Sequence, residues 1–172
     1  MKKINNKLKK ISILLGGTLL FFSQQSIANI QWELSKNHQE GRYAAYVFDK
    51  DINYTIDISC TKDTPPIFVF LAPKKEHLSV KKENVLSMTF DDEEKQRFIV
   101  RYNDNVATLD QDSFENKKHD SKFLFSDIVS NMKEHGNLKI GYVNDRGQSK
   151  FVNFTLKNSY KTLKEIEKRC KI

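Results

Sequence analysis

Beyond one short stretch near its start, the 172-residue chain has no long apolar run, so a helix able to cross a bilayer is not expected. That stretch, residues 11–22, is 12 residues long against the roughly 20 a spanning helix needs. Glycine is scarce. Of six, Gly16 and Gly17 fall in the stretch, and the remaining four build no P-loop, no G-x-S-x-G elbow and no nucleotide loop. Cysteine is scarcer, with Cys60 and Cys170 alone, which excludes a thiolate metal cluster. The four histidines, His38, His77, His119 and His135, fall at no metal-binding spacing such as H-x-x-x-H, and each reads as a surface or loop residue. Neither a metal nor a cofactor is expected.

What the chain does have begins with Lys2, Lys3, Lys7, Lys9 and Lys10, set before the apolar stretch. Ser26-Ile27-Ala28 then places small residues where a signal peptidase reads them. This order predicts a secretory signal peptide over residues 1–28, cut between Ala28 and Asn29, and a single mature domain over residues 29–172. No Cys sits just after the cut, so a lipid anchor is not expected, and the protein is expected to be periplasmic or secreted. The leader also carries the excess charge. Of 29 Lys+Arg and 22 Asp+Glu, five Lys and no acid precede residue 29, leaving 24 against 22. So balanced a surface has no electrostatic footprint for nucleic acid, and that partner class is set aside.

In an exported chain a pair of cysteines reads first as a disulfide. A Cys60–Cys170 bond would enclose 109 residues, and chain entropy assigns such a loop roughly 4–5 kcal/mol as an upper figure. A catalytic Cys with a His partner is the less favoured reading, because it needs a reactive thiolate in an exposed electropositive site.

Alternation with period two predicts strands at residues 30–34, 42–48, 54–60, 67–71, 85–90, 97–102, 106–109, 138–143 and 150–156. Cys60 shares the buried parity of Ile56 and Ile58. Residues 67–71 are apolar on both faces, as in a central strand. Asp49-Lys50-Asp51 with Asn53, and Asn144-Asp145-Arg146-Gly147, read as hairpin turns. Residues 111–122 read as a loop or a short edge strand. Phe125, Ile128, Val129 and Met132 instead follow helical spacing and predict an amphipathic helix of about ten residues. Ser159 is placed to cap a last helix whose stripe, Leu163, Ile166 and Cys170, ends in the second cysteine. The expected fold is α+β: a β-rich antiparallel sheet or sandwich with two short helices, the C-terminal one fastened across it by the disulfide.

Candidate chemistry is thin. Asp110, Asp112 and Glu115 resemble part of a calcium loop, but the Gly at its sixth position is missing and Phe114 stands at a ligand position. Asp91, Asp92, Glu93 and Glu94 are four adjacent carboxylates on one expected turn, sharing one wet environment, whereas acid–base catalysis needs environments that separate two pKa values. They are assigned to partner binding instead. Lys74-Lys75 and Lys81-Lys82 read as edge-strand protection. Trp32, Tyr43, Tyr46, Phe48, Phe68 and Phe70 read mainly as core, with some left on a sheet face for a partner.

The order of these elements, namely a leader, a strand with Trp32, Ala44-Ala45, a strand closing on Cys60, Arg101-Tyr102, a helix, the strand at 151–156 and a helix ending on Cys170, resembles two families. One is the periplasmic accessory proteins of type VI secretion, of the VasI and TagO type. The other is the invasion-associated locus B type of exported protein. VasI-type proteins carry further cysteines near the mature N-terminus, whereas this chain has none between Asn29 and Cys60. Both resemblances imply a β-rich, disulfide-closed, non-enzymatic domain of the cell envelope, concerned with assembly, secretion or virulence. The residues lead to the same class: an exported binding or accessory protein with a protein partner. Two alternatives stand beside it. A small secreted hydrolase or toxin would use His119-Asp120 with Asp110 or Asp112, and an inhibitor of a hydrolase such as lysozyme would insert residues 91–95.

Overall fold

A computed structural model of the chain describes residues 31–37, 41–51, 53–61, 63–78, 84–109 and 121–171. The expected signal peptide and its cut, His38, Lys81, Lys82 and residues 110–120, with Asp110, Asp112, Glu115, His119 and Asp120, lie outside the described residues. No described helix is long and apolar enough to cross a membrane.

The described strands are β1 (Glu33–Asn37), β2 (Arg42–Phe48), β3 (Thr55–Cys60), β4 (Ile67–Leu71), β5 (Val85–Phe90), β6 (Gln96–Asn103), β7 (Val106–Leu109), β8 (Asn137–Val143) and β9 (Ser149–Thr155). They join in one antiparallel sheet of order β1-β2-β3-β4-β7-β6-β5-β8-β9, accompanied by α1 (Ser121–Glu134) and α2 (Ser159–Cys170). This is the expected β-rich α+β class. The apolar parity of each strand forms the core: Ala45 and Val47, Ile56 and Ile58, Phe68 and Phe70, Leu86 and Met88, Leu138 and Ile140 are all buried. Phe125, Ile128, Val129 and Met132 of α1 and Leu163 and Ile166 of α2 join the same cluster. β4 is one-sided rather than buried on both faces. Phe68 and Phe70 are fully buried, while Ile67 is exposed and Val69 and Leu71 are half-buried, because the second face of the sheet meets water.

One strand turns the sheet. The first half of β6 pairs with β5, as Gln96↔Met88 through Ile99↔Val85, and its second half pairs with β7, as Val100↔Leu109 through Asn103↔Val106. A strand that changes partners midway makes a corner. The result is visible across the core. β4 and β8 stand four places apart in the strand order, roughly 19 Å in a flat sheet, yet Phe70 and Tyr142 have ring centroids 5.3 Å apart. The sheet is rolled over its own apolar face, leaving β1 and β9 as its edges.

Local chemistry departs from expectation at both ends of the helical layer. β1 begins at Glu33, so Trp32 is buried just before the strand, where its carbonyl accepts from Thr162 Oγ1 of α2 at 3.5 Å. Ser159 does not cap α2. Asn158 takes the left-handed turn at φ 64°, and buried Ser159 donates its Oγ to the Met132 carbonyl near the end of α1 at 2.7 Å, fixing one helix to the other. Cys60 and Cys170 form the predicted disulfide, with Cα atoms 5.6 Å apart, joining the end of α2 to the end of β3.

Candidate functional site

The second half of the rolled sheet has a wet outer face, and one cross-strand row on it stands out. Arg97 of β6 pairs with Ser87 of β5, Ser87 with Gly141 of β8, and Gly141 with Phe151 of β9. The row therefore runs cation, small, small, aromatic. A Cβ at Gly141 would stand 2.4 Å from Ser87 Oγ and 2.9 Å from Phe151 Cε1, so only glycine lets the Phe151 ring lie this close to the sheet. The two small residues floor a hollow of about 230 Å³, bordered by Phe151 and Val143 on one side and by Lys95, Arg97 and Lys150 on others.

Phe151 is 63% exposed and Val143 37%, among the few large apolar side chains the described residues leave in water. No carboxylate lines the hollow, and its three cations have no ion-pair partner among the described residues. Beside it runs β9, whose far side has no neighbouring strand among the described residues. Strand, aromatic and cations together can recognise an extended peptide that carries apolar and acidic side chains: backbone pairing along β9, stacking on Phe151, and carboxylates toward Arg97 and the lysines.

The four acidic residues assigned to partner binding sit at the β5–β6 turn and are all exposed. Two of them have internal duties. Asp91, at φ 44°, accepts from Gly136 N (3.1 Å), Asn137 N (2.9 Å) and Asn137 Nδ2 (3.1 Å), and these bonds, with Gly136 foremost, hold its carboxyl below the ordinary range. Glu93 Oε1 meets His135 Nε2 at 3.0 Å. His135 Nδ1 faces the Asn131 carbonyl at 2.8 Å, an acceptor only, so that nitrogen carries a proton. A second proton on Nε2 then completes the bond to Glu93. Glu93 first, and the Asn131 carbonyl next, accordingly raise the imidazole pKa above its usual value. Asp92 and Glu94 remain free at the tip, with no such bond among the described residues.

The other candidates do not converge. His77 Nδ1 bonds Asp104 Oδ1 at the surface. No group of three or more His, Cys, Asp or Glu among the described residues is placed to hold a metal ion. Tyr142, Tyr54 and Glu76 form a chain, with Tyr54 donating to Glu76 Oε2 at 2.7 Å and its hydroxyl 3.1 Å from that of Tyr142. Burial, foremost, raises both phenols, and burial likewise pushes Tyr102 up to about 12, so all three stay protonated near neutrality.

Sequence reasoning passed over the Arg97–Ser87–Gly141–Phe151 row, although two signals were present. A lone Gly inside a strand pattern marks a close approach, and Phe151 shares the parity of polar Ser149 and Asn153 rather than that of Val152 and Phe154. Compared with protein-family models, curated proteins and solved structures, the chain finds no match.

Proposed function

We propose that the protein is a non-catalytic binding module of the cell envelope or the extracellular space, which captures an extended, acidic and apolar protein segment on the face around Phe151. The leader pattern and the Cys60–Cys170 bridge support an oxidising compartment. The observation that carries the binding role is Phe151 itself, 63% exposed over Gly141, beside three cations and a strand edge that have no partner among the described residues. Aromatic and arginine side chains dominate the energetics of such contacts. An accessory role in secretion or in contact with a host, as the two family resemblances imply, fits this class.

The test is a photo-crosslinking amino acid placed at position 151 in living cells, followed by titration of the captured protein against purified variants. Phe151→Ala and Arg97→Ala should each weaken binding about 30-fold, the scale of an interface hot spot. A captured partner whose affinity ignores both changes overturns the assignment.

A second reading is favoured by one observation, the rigid tip. Asp91 and Glu93 are locked to the α1–β8 turn, which holds Asp92 and Glu94 in a fixed, protruding geometry suited to a hydrolase inhibitor. Inhibition of a lysozyme by wild type, lost in Asp92→Ala/Glu94→Ala and retained in Phe151→Ala, selects this reading over the first.

A further inference from the structure

The outward pole of α2 is a ridge of lysine. Leu163 and Ile166 fix the buried side of the helix, and at about 100° per residue the opposite side carries Lys161, Lys164 and Lys168, all exposed. Tyr160 stands on the same side, 57% exposed, with Lys164 Nζ 5.6 Å from its ring centre. Lys157 before the helix and Lys171 after it are also exposed, so the spacing 157, 161, 164, 168, 171 continues the pattern past both ends. Of the acids of the helix, Glu165 borders the ridge and Glu167 is turned toward α1. Glu165 pairs with Arg169, and Glu167 pairs with Lys133 of α1 at 2.6 Å. None of the ridge lysines has an ion-pair partner among the described residues.

Scattered surface lysines keep any protein soluble; segregation on one helix pole is different. Like charges three and four residues apart repel and weaken a helix, and Glu165 beside them, itself paired with Arg169, does not offset them in full. An external layer of anions does. The face opens outward around a hollow bordered by Tyr160, Lys161, Lys164, Glu165 and Lys168, so its lysines can rest together on an array of phosphates. An exposed tyrosine at the end of the ridge suits the zone between headgroups and acyl chains, where one end of the ring is wet and the other apolar.

We infer that this pole of α2 docks on the surface of an anionic phospholipid bilayer, with the lysines at headgroup phosphates and Tyr160 in the interfacial layer. The contact is peripheral and reversible. Each lysine near such a surface contributes about a fivefold gain in partitioning, and the attraction falls within a Debye length. It is independent of the hollow around Phe151, which lies on the opposite face of the sheet from the helices.

Lysine acetylation of the full chain, read residue by residue, tests this. Vesicles of phosphatidylcholine containing about one third phosphatidylglycerol should protect Lys161, Lys164 and Lys168, while Lys139 and Lys150 react at their free rate and pure phosphatidylcholine protects none. In co-sedimentation, the triple change Lys161→Gln, Lys164→Gln, Lys168→Gln should lower partitioning roughly 100-fold with an unaltered circular dichroism spectrum. Equal protection on both vesicle types, no protection, or a triple variant that binds like wild type overturns the inference. Protection by heparin or single-stranded DNA with none on vesicles also overturns it, and assigns the ridge to a linear polyanion.

Discussion

A single carboxylate closes the β2–β3 turn. Asp49 is 4% exposed, and its oxygens accept from the backbone N–H groups of Asn53 (2.7 Å), Tyr54 (2.8 Å) and, more loosely, Asp51 (3.4 Å). Composition alone marked this segment as a turn, because Asp and Asn bond their own backbone. It did not mark Asp49 as buried, since burial depends on the strands that close around it. Asp49→Ala leaves those donors without their acceptor and should cost about 1–3 kcal/mol in urea unfolding, whereas Asp51→Ala, at an exposed neighbour, should stay within about 0.5 kcal/mol. Equal effects would show that the turn forms without its acceptor. Gly141 behaves in the opposite sense, as a residue defined by what it omits. Gly141→Ala pushes a methyl against Ser87 Oγ and the Phe151 ring and should cost about 1–3 kcal/mol, part of which Ser87→Gly in the same chain restores. Thermal unfolding of the two variants checks this.

Among elements, the β5–β6 turn and the α1–β8 turn act as one unit through Asp91, Glu93 and His135. The imidazole pKa is raised in the folded protein, so its bond to Glu93 stabilises fully below about 6.5, the unfolded value, and is lost as pH climbs through the folded one. The Asp91 carboxyl is lowered, so its bonds stabilise above its unfolded value and are lost as pH falls through the folded one. Urea unfolding of wild type and His135→Asn should therefore diverge most at mildly acid pH and converge toward pH 9. A gap independent of pH would place the histidine's contribution in its tilted ring contact with Phe90, 5.5 Å between ring centres, and not in its charge. At this scale sequence was most informative. β4 and β5 fall on the expected residues because alternation and flanking prolines or acids bound them, and the helix expected around Phe125–Met132 runs longer, as Ser121–Glu134. The corner in β6 was illegible, because Gln96–Asn103 holds no Gly or Pro to mark it and only its partners reveal the break.

For the molecule as a whole, α2 is the lid of the N-terminal half, resting on β2 and β3 and bonded to Trp32 and Cys60. Replacing either cysteine by Ser should cost about 2–5 kcal/mol and raise hydrogen exchange first in α2, with β8 and β9 still protected. Uniform loss of protection would instead make the bridge a support of the entire sheet. Mass measurement of the protein recovered from outside the cytoplasm should find Asn29 at its N-terminus; a retained Met1 there contradicts the leader. The Arg97–Ser87–Gly141–Phe151 row and the lysine ridge were hard to find beforehand for one reason: each assembles on a surface from positions that alternation and helical phase assign merely to solvent. The bridge also sets a timetable. Ribosomes build chains from the N-terminus, so Cys60 appears 110 residues before its mate, a wait of roughly 5–20 s at ordinary elongation rates. Throughout that interval β2 and β3 exist without their lid, and the Cys60 thiol has no correct partner within the nascent chain. Until then that thiol is open to mispairing with other thiols, and only the bond to Cys170, not oxidation of Cys60 as such, records that synthesis has passed residue 170.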